Sequence, residues 1–77
     1  MTIEELRDFA TKTVRSIDQG ATTRVVESCG FDGVWRVQIT LGAESQTLSG
    51  DERMLYAPGF RDSFRFQARL AVSKLRQ

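Results

Sequence analysis

The 77-residue sequence contains no histidine, one cysteine and one proline. Without histidine it lacks the commonest general base and the commonest transition-metal ligand, and a single thiolate cannot enclose a zinc ion. Cys29 has no second cysteine for an intrachain disulfide, which is typical of a reducing, cytoplasmic protein. We therefore expect no metal, no cofactor and no enzymatic activity.

Paired carboxylates are the remaining candidates for acid–base chemistry. Glu4 and Glu5 fall in the first turn of a predicted helix, where acidic side chains stabilise the helix dipole. Asp51 and Glu52 fall in a predicted loop, where charged side chains are usually solvated. No glycine-rich phosphate loop is present. We therefore predict no catalytic residues and no small-molecule substrate.

Long apolar runs are also missing, so neither a membrane span nor a secretory signal is expected. The length predicts a single domain over residues 1–77 with a small core. Eleven basic and ten acidic side chains give a net charge of +1, which exerts no strong attraction on polyanions. The charge is uneven, however, because residues 60–77 carry five basic side chains against Asp62 alone, a local charge of +4.

The N-terminal segment has the pattern of an amphipathic helix over about residues 3 to 19. Thr2 and Glu5 have the spacing of a capping box, in which each side chain accepts a hydrogen bond from the other residue's amide. Apolar residues then recur at helical spacing, at Leu6, Phe9, Ala10, Val14 and Ile17. Gly20 can take the left-handed conformation that ends such a helix.

The next segment changes to the alternation of a β-hairpin. Residues 34–41 alternate between apolar and polar side chains, with Trp35 on the inner face. Asp32-Gly33 predicts a two-residue turn, since both positions of the favoured turn need positive φ. That turn would place Cys29 beside Arg36 on the outer face, where a cation could activate the thiol, although free cysteines are usually small semi-buried hydrophobes. It would also place Gly30 opposite Trp35, leaving room for the indole.

The third strand has two candidate positions, Gln46 to Ser49 and Arg53 to Ala57. We prefer the second, because Met54, Leu55 and Tyr56 give it more apolar surface to bury. Either choice predicts an α+β domain of order α-β-β-β-α, with an antiparallel three-stranded sheet and both helices on one face.

This order of elements resembles that of the double-stranded-RNA-binding domain. That family carries a lysine cluster at the start of its final helix and a histidine in the loop between its first two strands. Arg61 and Arg65 stand near the first location, whereas the sequence has neither the lysine cluster nor any histidine. The resemblance is therefore one of element order.

The last helix, from Phe60 or Arg61 to Leu75, is predicted to be apolar on two sides. At about 100° per residue, one sector that should face the sheet contains Phe60, Phe64, Ala68, Ala71 and Leu75, with Val72 at its edge. Phe66 and Leu70 project from roughly the opposite side. Three interpretations stay open: residues 42 to 52 cover them, the core face is assigned wrongly, or they form a protein contact of hot-spot composition.

Arg61, Arg65 and Arg69 form a stripe beside the core face of this helix. Such a stripe is commonly solvated, but it could also bind the phosphates of RNA or DNA, or the carboxylates of an acidic protein. The near-neutral net charge and the lack of an aromatic run on the strands disfavour nucleic acid.

These observations favour a small, non-enzymatic binding or adaptor protein, for which inhibition of a larger partner is one form of action. Its interface would lie on the last helix, with Phe66 and Leu70 as apolar anchors and Arg61, Arg65 and Arg69 as flanking charge. The partner would be another protein or a second copy of the chain. A nucleic-acid-binding module that uses the arginine stripe is the alternative.

Overall fold

Two helices lie on one face of a three-stranded antiparallel sheet in the computed structural model, which describes residues 1 to 77. The elements are α1 (Ile3–Ile17), β1 (Thr22–Val25), β2 (Val34–Leu41), β3 (Glu44–Asp51), a 3₁₀ helix (Glu52–Tyr56) and α2 (Phe60–Leu75). The strands lie in the order β1-β2-β3, with α1 packed mainly over β1 and α2 mainly over β3. The predicted α+β fold and its α-β-β-β-α order are confirmed.

The capping box starts α1 as predicted. The Glu5 amide donates to the Thr2 hydroxyl at 3.2 Å, and the Thr2 amide donates to the Glu5 carboxylate at 3.1 Å. The helix ends at Ile17, two residues before the predicted end at 19, because Asp18 turns to an extended conformation. Gly20 does not adopt positive φ; instead its amide donates to the Asp18 carboxylate at 2.8 Å.

A cluster of aromatic side chains fills the space between the helices and the sheet. Trp35 is 1% exposed and meets Phe60 edge-on, with ring centroids 5.4 Å apart. Phe64 lies between Trp35 and Phe9, at centroid distances of 5.9 and 5.4 Å. The predicted core face of α2 is confirmed, since its buried residues are Phe60, Phe64, Ala68, Ala71 and Val72.

The predicted register of β1 against β2 is wrong by three residues. Val25 lies opposite Val37, whereas a turn at Asp32-Gly33 would have placed it opposite Thr40. The connection is instead an eight-residue loop over residues 26–33, in which only Gly30 and Gly33 have positive φ. A shift by an odd number of residues exchanges the faces of a strand, so Val25 faces the core while Gly30 lies outside the strand.

The preferred position of the third strand is also wrong. Residues 44 to 51 form β3, which includes the rejected candidate 46–49, whereas 53–56 belong to the 3₁₀ helix and Ala57 follows it. Leu41 pairs with Glu44 across a two-residue turn whose first residue, Gly42, has φ of +66°. Glycine is favoured at that position of a hairpin turn. Because β3 is an edge strand, it needs few apolar side chains, and its composition misled the prediction.

Gly50 of β3 makes room for the indole of Trp35, the role that the sequence assigned to Gly30. The two residues lie opposite each other, and a Cβ atom on Gly50 would stand 2.8 Å from the indole nitrogen and 3.1 Å from Cε2. That nitrogen is buried without a hydrogen-bond partner. The close approach therefore depends on the absence of a side chain at position 50.

We predict that Gly50→Ala destabilises the fold by about 1 to 3 kcal/mol, because the added methyl forces the buried indole out of its position. Chemical denaturation followed by tryptophan fluorescence measures the change. Ser49→Ala, at the exposed neighbouring position, is the matched control and should change stability by less than about 0.5 kcal/mol. Equal stability of Gly50→Ala and the parent chain would show that the indole has space to move.

A second prediction concerns the junction of β3 and the 3₁₀ helix. The guanidinium and the backbone amide of Arg53 each donate a hydrogen bond of 2.8 Å to the Asp51 carboxylate. These bonds lower the pKa of Asp51 to about 2. A carboxyl whose pKa is lower in the folded chain stabilises it above its unfolded pKa, and that contribution is lost as pH falls from about 4 to about 2.

Replacing Asp51 with Asn should therefore flatten part of the decline in melting temperature between about pH 4 and pH 2. A carboxyl titration by NMR gives the site-specific check. An Asp51 midpoint near 3.8, the ordinary value, would contradict the geometry of this junction.

Candidate partner-binding surface

The two predicted apolar anchors on α2 are exposed. Phe66 retains 63% of its accessible surface and Leu70 retains 50%. Residues 42 to 52 do not fold back over them, because they form the turn, β3 at the edge of the sheet and the first residue of the 3₁₀ helix. The core face of α2 is the predicted one, so an error in that assignment does not account for the exposure either.

Leu70 lies beside a shallow groove between α2 and β3. The groove has a volume of about 170 Å³ and is lined by Gln46, Leu48, Gln67, Leu70, Ala71 and Lys74. Leu48 is half-buried and belongs to the periphery of the core, so apolar surface continues from the core, through the groove, to Leu70. Phe66 is one helical turn before Leu70 and extends this surface along α2.

The arginine stripe lies on the other flank of α2, towards α1. The guanidinium carbons of Arg61 and Arg65 stand 5.7 and 5.5 Å from the centre of the Phe9 ring, within the range of cation–π contacts. Arg65 also donates to Asp62 at 3.0 Å. Arg69 takes part in none of the ion pairs. Arg61 and Arg65 thus lie over the ring of Phe9, a half-buried residue that packs against the core, and Arg65 is also paired with a carboxylate.

Arg61 and Arg65 also line the largest cleft of the molecule, a space of about 560 Å³ at the start of α2. Glu5, Tyr56 and Asp62 line the same cleft. The pKa of Glu5 is lowered, chiefly by the hydrogen bond from the Thr2 amide and to a small extent by Arg61. The cleft is open and carries both signs of charge, so it does not form a concentrated anion site.

Cys29 is a half-buried side chain at the edge of the core. Its sulfur accepts a hydrogen bond from the backbone amide of Arg36 at 3.2 Å. The guanidinium of Arg36 instead donates to the Asp32 carboxylate at 2.6 Å, and this pair lowers the pKa of Asp32. Arg36 is near Cys29 as predicted, but its charge is directed to Asp32. No group of three or more His, Cys, Asp or Glu side chains is placed to hold a metal ion.

Phe31 is a further exposed aromatic residue that the sequence did not single out. It is 93% exposed in the loop between β1 and β2, and Met54 and Tyr56 of the 3₁₀ helix are also exposed. The sheet face away from the helices is mainly polar, with Arg36, Gln38 and Thr40 on β2.

Comparison with protein-family models, curated proteins and solved structures finds no match to this chain. Neither helix has the combination of length and apolar composition that crossing a bilayer requires. The surface of α2 and the adjoining groove must therefore be interpreted from their own chemistry.

Proposed function

We propose that this chain is a small, non-enzymatic binding or adaptor protein whose interface lies on α2. The observation that carries the proposal is the exposure of Phe66 and Leu70 on adjacent turns of that helix. Large apolar side chains that project together from a stable helix are typical anchors of protein contacts. Their continuity with the groove at Leu48 gives a partner a surface to fill.

The arginines supply the border of this interface. Arg69 lies on the solvent side of α2 and is free to bind a carboxylate of the partner. Arg61 and Arg65 are held over Phe9, which limits the conformations they lose on binding. Nucleic-acid binding through the same stripe has less support, because Arg65 is paired with Asp62 and the net charge is +1.

We predict that Phe66→Glu weakens self-association, or binding to a protein partner, by about 2 kcal/mol or more, roughly a thirtyfold loss of affinity. A carboxylate at this position would be desolvated by the partner without gaining a counter-ion, whereas in the free chain it is solvated. Light scattering measures self-association. Retention of partners by the immobilised chain measures binding to other proteins.

Phe31→Glu is the matched control, because Phe31 is also an exposed phenylalanine but belongs to the β1–β2 loop and not to α2. It should leave association unchanged, and both variants should keep the circular dichroism and melting temperature of the parent chain. Unfolding of Phe66→Glu would show that Phe66 belongs to the core. Equal effects of the two substitutions would rule out α2 as the interface.

A further inference from the structure

The outer edge of β3 carries unpaired backbone groups, because β3 pairs only with β2. In an antiparallel pair, alternate residues direct their N–H and C=O groups to opposite sides of the strand. The amide of Glu52, the residue that follows β3, donates to the Gly33 carbonyl at 2.8 Å. The even-numbered residues of β3 therefore direct their backbone N–H and C=O groups towards β2. The odd-numbered residues face the open edge, and they are Ser45, Thr47, Ser49 and Asp51.

The hydrogen bonds on the other side of β2 give the same parity. The carbonyls of Val34 and Arg36 accept hydrogen bonds from residues of the β1–β2 loop. The backbone groups of these two residues therefore point away from β3. Trp35 and Val37 therefore direct their backbone groups towards β3, where they pair with Gly50 and Leu48. The even-numbered residues of β3 are thus satisfied within the sheet.

This edge lacks the features that usually prevent strand edges from pairing. β3 is eight residues long, whereas the opposite edge strand β1 has four. Its pairing with β2 runs without a bulge from Glu44 to Asp51, and residues 45 to 50 include no proline and no charged side chain. Edges of monomeric proteins are commonly protected by short strands, bulges, proline or lysine.

An apolar surface adjoins the same edge on the helix side. Leu48 lies opposite the buried Val37 and faces the helices, and with Leu70 it lines the groove between β3 and α2. An added peptide strand would satisfy the edge but would leave Leu70 and Phe66 exposed. A partner that covers the edge and the helix together must bring a strand with a helix packed beside it.

We propose that a second copy of this chain is that partner, joined by antiparallel pairing of the two β3 strands about a two-fold axis. The inference rests on the proposed function, since it names the partner of the α2 surface. With the axis at Leu48, Thr47 of each copy pairs with Ser49 of the other, so outward-facing backbone groups meet. In this register Ser45 of each copy lies opposite Asp51 of the other, so no two charged side chains are opposite each other within residues 45 to 51. Glu44 would approach the partner's Glu52 only beyond the end of β3.

The same axis brings the two α2 helices together in antiparallel orientation. Leu70 of each copy then lies near the axis, with Phe66 at the solvent side of the contact. Gln67 and Lys74 flank Leu70 in the groove. Because the two helices are antiparallel, Lys74 of each copy lies near Gln67 of the other, so an ammonium group meets a side-chain amide. The result is a six-stranded sheet with four helices on one face.

Hydrogen exchange of β3 measured by NMR at low and high protein concentration tests the pairing. Amides of Gln46, Leu48 and Gly50 should be protected at both concentrations, since they bond to β2. Amides of Thr47 and Ser49 should exchange freely in dilute solution and become protected as the dimer forms. Free exchange of Thr47 and Ser49 in a dimer would overturn the strand pairing.

Thr47→Pro tests the same edge by substitution. Proline removes the outward N–H of Thr47 without removing a bond to β2, a position that edge strands tolerate. Thr47→Val keeps the amide and is the matched control. Light scattering should give twice the 8.7 kDa of one chain for the parent and for Thr47→Val, and a loss of the dimer for Thr47→Pro.

The outcomes separate this inference from the proposed function. A dimer that Phe66→Glu or Leu70→Glu dissociates, but Thr47→Pro does not, overturns the strand pairing and leaves α2 as the interface. A chain that stays monomeric at millimolar concentration overturns the second copy as partner, while Phe66-dependent binding of another protein would still support the α2 interface. If Thr47→Pro unfolds, the exchange of Thr47 and Ser49 in the parent chain decides.

Discussion

The packing of Trp35 against Gly50 is the constraint on which most of this fold depends. The indole stands on the central strand and extends over the neighbouring strand, where only a residue without a side chain leaves room for it. Phe60 and Phe64 then close over the ring from α2. The position of β3 and the position of α2 are therefore both set by one side chain. Burying an aromatic ring of this size contributes roughly 4 to 6 kcal/mol, more than the 1 to 3 kcal/mol that an unpaired indole N–H costs.

The helices could be predicted from the sequence because their signals are local. A capping box at Thr2 and an apolar periodicity confined to one segment are enough to define α1, and the same periodicity identifies the core face of α2. The strands depended on partners distant in sequence. Asp32-Gly33 has the composition of a tight turn, yet burying Val25 against the core requires a register that only the longer loop allows. Gly42, at the first position of a two-residue turn, was the signal for β3 that the prediction passed over.

The candidate surface was predicted in part, for a related reason. The helical projection of α2 correctly separates Phe66 and Leu70 from the core. It contains no information, however, on which neighbouring element packs against each flank of the helix. The neighbouring elements make them different: Phe9 of α1 receives Arg61 and Arg65, whereas β3 leaves a groove at Leu70. Three arginines at an interval of four therefore do not form one uniform charged stripe. Arg61 and Arg65 stack over the ring of Phe9. Of the three, only Arg69 has no intramolecular partner for its charge.

The composition of β3 is best understood from how little of it the core requires. Leu48 is the only large apolar side chain that β3 contributes to the core. Gly50 leaves space for the indole of Trp35 because it has no side chain. A strand of about four residues would hold both in place against β2. The strand nevertheless continues back to Glu44, in regular register with Leu41, through a polar and uncharged segment. In a 77-residue domain whose core is small, such an extension adds little buried surface. What it does add is a straight row of backbone donors and acceptors beside the exposed flank of α2, so the edge and the helix form one continuous surface.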